Sequence, residues 1–266
     1  MTAELRIHPL PGTGAHLVSG ADGRHRVRLR TGRLTLLDAP PDGLVAAIES
    51  APDGEAADYL HRLTGEVQTR EAEDASRRWP TARRAVCLLG SDPILDDLGG
   101  ALAAWGAAVT RLGAEEEPPQ DAALVIAYAD DARGRRRWLR HDQLPRRGVA
   151  WLRAHRDGEC VLIEPLALDG DDPTSVQVAT RRAAASSAPT ATEAWHRAAP
   201  PASAPVDDAT RVLVLGRLLQ IAAAWAQDGP SLDRLRTTLW KLVPALGAVT
   251  EHTVLAYPAA PERVIR

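Results

Sequence analysis

The residues of this 266-residue chain that could do chemistry are few and scattered. Its two cysteines, Cys87 and Cys160, lie inside apolar runs (AVCLLG and ECVLIEP), where a thiol packs as a small hydrophobe. Two cysteines supply neither a disulfide framework nor a four-thiolate zinc site. His196 and His252 stand alone in sequence and read as surface or core residues rather than ligands. Asp96-Asp97 and Asp171-Asp172 are carboxylate pairs, but neighbouring helical residues do not face one another. Helix capping and loop solvation account for both. No Gly-x-Ser-x-Gly, His-Glu-x-x-His or Cys-x-x-Cys motif occurs. The expectation is therefore no catalytic residue, no metal and no cofactor.

Two further segments bear on chemistry. Gly90-Ser91-Asp92-Pro93 follows the strand-like run ARRAVCLLG, the place where a doubly wound sheet offers backbone N–H groups to a phosphate. It has one glycine where the dinucleotide fingerprint needs three, Asp92 brings negative charge, and Pro93 removes a donor. Asp92 reads better as a helix N-cap, with Pro93 in the first turn. The basic run RGRRRWLRHDQLPRR, Arg133 to Arg147, has two readings. It is either a solvated helix neutralised by Glu115, Glu116 and Glu117, or a docking surface of Arg135, Arg136, Arg137 and Trp138 for an acidic peptide or a partner enzyme. The planar guanidinium fork suits carboxylates in either case.

The elements that must position these groups fall into two stretches. In residues 1–80, LRIHPL, AHLVS and HRVRLR have β character, broken at Pro11-Gly12 and at Ala21-Asp22-Gly23. Arg26 to Arg30 alternates as a half-buried strand should, and GRLTLLDAP is placed to pair with it. Helices follow, with Asp42 capping GLVAAIES, Asp53 capping GEAADYLHRLTG, and a third, polar one from about Thr69 to Trp79. In residues 81–266, strand–glycine–helix–strand order (ARRAVCLLG, DPILDDLGGALAAWG, AAVTRLG, AALVIAYA) predicts a parallel sheet of the doubly wound kind. GVAWLRAHR and ECVLIEPLAL form a hairpin at Asp157-Gly158, with the positive φ of a type I′ turn. Residues 189–209 read as a Pro/Ala-rich linker or loop. TRVLVLGRLLQIAAAW reads as a broad apolar helix, a candidate homodimer or partner interface, and TTLWKLVP and TEHTVLAYP as strands. No apolar run approaches the ~20 residues of a membrane span. The N-terminus lacks a secretory pattern, and a net charge of −3 gives no reason to expect nucleic acid. The expected location is cytoplasmic, with no membrane partner.

The order of Gly148 to Ser187, an apolar hairpin with Pro165-Leu166 and Asp169-Gly170 followed by an Arg-rich helix, resembles the ThiF-like (ubiquitin-activating-enzyme-like) partner proteins of azole and azoline peptide biosynthesis. That family carries a Cys-x-x-Cys after the glycine and a second one near the C-terminus. Here Asp171 to Gln177 and Tyr257-Pro258-Ala259-Ala260-Pro261 stand in those places, so both halves of the zinc site are missing together. The family's ATP-binding lysine has no counterpart either, since Lys241 is the only lysine. The resemblance implies an α/β chain with a winged-helix-like peptide-recognition unit at 1–80 and a degenerate ThiF-like domain at 81–266. Three strands and then three helices match the layout of the recognition unit. By that layout Leu34 and Leu36, with Val27 or Leu29 behind them and Tyr59 or Leu63 from the helices, would seat a leader peptide added to the sheet edge. The alternative is that all six fill the small core. The implied function is a non-catalytic scaffold that binds the leader of a ribosomally made precursor and presents it to a YcaO-type cyclodehydratase, as a homodimer. The alternatives are an ATP-dependent adenylating enzyme of the same fold, or the recognition partner of a different peptide-modifying dehydratase or dehydrogenase.

Overall fold

The computed structural model describes residues 5–20, 22–50, 54–201 and 204–257. They form two compact units that divide between Arg77 and Arg78.

The first unit is a four-stranded antiparallel meander, β1 (Arg6–Pro9), β2 (His16–Ser19), β3 (His25–Arg28) and β4 (Leu34–Leu36), backed by α1 (Leu44–Glu49) and α2 (Gly54–Arg78). Strand alternation sorts its side chains onto two faces. His8, Leu17, Val27 and Thr35 lie side by side across the sheet on the inner face, where Leu44, Leu60, Leu63 and Val67 of the helices complete the core. Ile7, Val18, Arg26 and Leu36 form the corresponding row on the outer face. The implied layout had three strands; the fourth is the hairpin partner read in GRLTLLDAP, whose Leu34–Leu36 pairs with β3. The three expected helices are two, because α2 runs unbroken through the polar Thr69–Trp79 stretch. Gly65 is its one internal weak point, and a single helical glycine costs only about 1 kcal/mol against alanine. Buried Leu60, Leu63 and Val67 anchor the helix across that point. Gly43, at φ 81°, occupies the cap of α1 in place of a side-chain cap from Asp42. Asp53 and Ala21 lie outside the described residues.

The second unit is a seven-stranded mixed sheet. Its parallel part joins β5 (Ala85–Leu89), β6 (Ala108–Leu112), β7 (Leu124–Ala129) and β8 (Ala150–Asp157). β9 (Cys160–Ile163), β10 (Thr238–Val243) and β11 (Ala248–Thr253) add antiparallel strands, giving the order β11-β10-β9-β8-β7-β5-β6. One face is covered by α3 (Ile94–Ala104) and α7 (Asp208–Ala226), the other by α4 (Ala132–Arg137) and α5 (Ser175–Ala184). The short α8 (Leu232–Leu235) leads into β10.

Three expectations change here. The β8–β9 turn has positive φ at Gly158 (62°) and not at Glu159, so it is not type I′, which needs both; Gly at the first central position suits type II′. Residues 189–209 are not simply a linker: Pro189–Ala198 is a helix, α6, whose proline at the first turn is pre-set for helical φ. The apolar breadth of α7 is mostly spent inside the unit. Val214, Leu218, Ile221, Ala222 and Trp225 are buried, and Trp225 meets Trp79 edge to face with ring centroids 6.4 Å apart. By length and composition alone α7 could also cross a membrane, and 39% of its apolar window is buried inside the unit. Val212 and Leu213 remain exposed.

Candidate functional site

In the first unit a groove of about 400 Å³ lies between β4 and α2. Val27, Leu29 and Leu63, all buried, form its apolar floor, while Thr35, Leu36 and Tyr59 line its sides. Arg62, Glu66 and Arg70, spaced four residues apart on α2, give it a charged rim. Tyr59 leans over the opening. Its hydroxyl donates to Asp38 O at 3.4 Å, and the Arg62 guanidinium lies 5.9 Å from its ring centre. Partial burial and the nearby Glu66 and Asp38 push the phenol pKa up.

β4 ends the sheet, and its backbone is half unpaired. Leu37 N–H donates to His25 O and Leu29 N–H donates to Arg33 O, so Thr35 between them faces β3 and the backbone groups of Leu34 and Leu36 face the open edge. Such an edge is a template for one more strand.

Five of the six residues expected to seat a peptide, Val27, Leu29, Leu36, Tyr59 and Leu63, therefore line one groove. Leu34 does not. Its side chain is 55% exposed on the outer face, opposite Arg28, and Leu36 borders the groove from the strand's edge rather than from the inner face. Thr35, Glu66 and Arg70 were not anticipated. The four-residue spacing Tyr59–Leu63–Val67 and Arg62–Glu66–Arg70 was the signal for the α2 side.

The loop after β5 leads into α3 one residue later than expected: the helix begins at Ile94, with Pro93 at its N-cap rather than in its first turn. Asp92 Oδ1 accepts from Ile94 N–H at 2.8 Å, and Gly90 sits at φ 135° where a Cβ would lie 2.7 Å from Tyr128 O. The adjoining cleft, about 300 Å³, is lined by Asp92, Asp130 and Asp131, with Arg137, itself paired with Glu115, as the one basic residue on its wall among the described residues. Burial and the Asp92 carboxylate raise Asp130 to about 6. A lining of carboxylates disfavours a polyphosphate.

The arginine run is mostly committed within the unit. Trp138 is 3% exposed and meets Trp151 edge to face, so it belongs to the core and not to a docking surface. Arg137 pairs with Glu115, and Arg140 with Glu115 and Glu117, the neutralisation the sequence offered as one reading. Arg135 and Arg136 instead donate to backbone carbonyls of Arg156, His196 and Arg197.

The loop after β9, around Asp169 to Thr174, is held by charge. Asp172 is buried and accepts from Leu168 N–H at 2.7 Å and from Arg236 Nε at 2.8 Å, and Arg236 also pairs with Asp169. The reading of Asp172 as loop solvation is thus corrected. Beneath it Arg153, wholly buried, donates to Asp142 Oδ1 at 3.0 Å and to Pro173 O at 2.9 Å, with Glu164 Oε2 at 2.8 Å from its Nε. No sequence motif marks this network. No group of three or more metal-ligating side chains occurs among the described residues. Pro258 onward lies outside them.

No protein-family model matches the chain, and no curated protein matches it in sequence. Solved structures do match in fold. A chain of the E. coli microcin synthetase McbBCD complex aligns with a TM-score of 0.52 at 11% identity, over 97% of this chain and 100% of that one. The same complex with pro-MccB17 bound gives 0.52 at 11%, over 97% and 98%. The heterocyclase TruD gives 0.50 at 12%, over 97% of this chain and 41% of that one. The chain thus has, over nearly its whole length, a fold found in a microcin synthetase component and in part of the heterocyclase TruD.

Proposed function

We propose that the chain is a non-catalytic scaffold that captures the leader of a ribosomally made precursor peptide and presents it to a YcaO-type cyclodehydratase for azoline formation. The observation that carries this reading is the groove between β4 and α2, which joins an unpaired strand edge to an apolar floor and a charged rim. That combination takes an extended peptide: the edge supplies main-chain hydrogen bonds, and the floor selects alternate side chains. The fold shared with a microcin synthetase component, in a complex that has been solved with pro-MccB17 bound, supports the same reading. Tethering the leader raises the local concentration of the core peptide at the partner's active site, so the scaffold needs no chemistry of its own. In this reading it works in the cytoplasm and as a homodimer.

The test is fluorescence-polarisation titration of leader peptides encoded beside the gene. Leu36→Pro removes an N–H on the open edge without touching a bond to β3, and should weaken binding at least about tenfold more than Leu36→Ala. Tyr59→Ala should also weaken binding, while Leu34→Ala should leave it within about twofold. Equal binding by the Leu36→Pro and Leu36→Ala proteins would sink strand addition.

A further inference from the structure

A second cleft, in the other unit, remains unexplained by leader capture. It measures about 360 Å³ and opens between α4, the end of β8, α5 and α6. Its charges do not balance locally. Arg153 is matched by Asp142 and Glu164, Arg182 by Asp157, and Arg197 by Glu193. Arg135 and Arg136 are bonded only to carbonyl oxygens, with no carboxylate at ion-pair distance among the described residues. Carbonyl dipoles orient a guanidinium without neutralising it, and Asp157, Glu164 and Asp131 act on Arg135 only from beyond ion-pair distance.

Unsatisfied groups meet the same space. His155, 1% exposed, receives Arg182 Nη1 at 3.4 Å on Nε2, which places its proton on Nδ1. That Nδ1 has no hydrogen-bond partner, its nearest carboxylate oxygen being Glu164 Oε1 at 3.6 Å. His196 Nε2 is buried without a partner as well. Burial and the neighbouring arginines hold both imidazoles below their usual pKa, so each is neutral near pH 7, and His155 offers its Nδ1–H. Buried donors of this kind cost free energy unless something accepts from them. Trp138, Leu139, Val176 and Ala179 give the cleft an apolar wall beside the two arginines.

We propose that this cleft binds a carboxylate carried next to an apolar group, with Arg135 and Arg136 as its anchors. A single negative charge fits better than a phosphate: Arg135, Arg136, Arg153, Arg182 and Arg197 face the four carboxylates Asp142, Asp157, Glu164 and Glu193, which leaves one net positive charge. A carboxylate matches the planar fork in two-point contact. The proposal does not rest on the β4–α2 groove, which lies in the first unit.

The test is calorimetric titration of the full chain with N-acetyl-L-leucine, N-acetyl-L-leucinamide and inorganic phosphate. Saturable binding of the acid, at least about tenfold tighter than the amide and than phosphate, is the expected result. Arg136→Gln should weaken the acid several-fold and leave the amide unchanged. Arg136 is exposed, so this protein keeps its fold even if Arg135→Gln, which loosens β8 from α6, does not. No saturable acid binding at millimolar concentration overturns the proposal. So does equal binding of acid and amide, phosphate binding as tightly as the acid, or an Arg136→Gln protein that binds like wild type. None of these outcomes bears on leader binding, which is read with a different ligand and different variants.

Discussion

Glu164 and Arg153 show how much one buried residue can hold together in this chain. Both are almost fully enclosed, and their charges are shared with Asp142 and set beside His155. Burial outweighs the attraction of Arg153 and lifts the Glu164 pKa to about 7 from an ordinary 4.5. The folded state therefore binds this proton more tightly than the unfolded chain does. The contribution of Glu164 is complete below pH 4.5 and is lost as pH rises through 7. Glu164→Gln removes that dependence. Chemical denaturation of both proteins from pH 4.5 to 8 should show wild type losing up to roughly 3 kcal/mol relative to the variant. A constant difference across that range would mean that Glu164 is ionised throughout, held by Arg153.

At the scale of elements, α2 and β4 make the groove together, and neither would be read as a site alone. α2 contributes only Leu60, Leu63 and Val67 to the core, so most of its 25 residues stand in solvent. Its persistence depends on propensity more than on packing. Gly65 is exposed, a Cβ there meets nothing within 4 Å, and its φ is not positive. Gly65→Ala should raise stability by about 0.5–1 kcal/mol in thermal or urea unfolding, with leader binding unchanged. Destabilisation would show that the helix is kinked or contacted at that turn. β4 is the opposite case. At three residues it has little alternation of its own, and its place is fixed by the pairing with β3 that its position after Thr31-Gly32 suggested.

The chain joins a four-stranded unit with an open sheet edge to an α/β unit whose cleft at the end of β5 is acidic. The glycine loop after β5 leads into a cleft of Asp92, Asp130 and Asp131, and Pro93 denies it an amide donor. If the chain is a scaffold, MgATP should shift its melting temperature by less than about 1 °C. Azoline formation, read as loss of one water per ring by mass spectrometry, should then require an added cyclodehydratase. A clear melting shift and ATP turnover by the chain alone would move it to the adenylating class.

What the sequence determined by itself was the set of local elements: the alternation of Arg26 to Arg30, the strand–glycine–helix run from Ala85, the cap at Asp92 and the hairpin around Gly158. These follow from short-range periodicity and turn chemistry, which need no distant partner. Val27, Leu29, Tyr59 and Leu63 were also legible as neighbours, because apolar positions on a strand and a helix face a common interior. Only the tertiary structure decided the rest. Cross-strand register turned Leu34 outward and put Thr35 over the floor. Trp138 left the surface because Trp151, thirteen residues on and in a different element, closes over it. The Arg153 network and the carbonyl-bonded Arg135 and Arg136 depend on partners 11 to 61 residues away. Charge balance is set by distance in space, and no pattern along the chain records it.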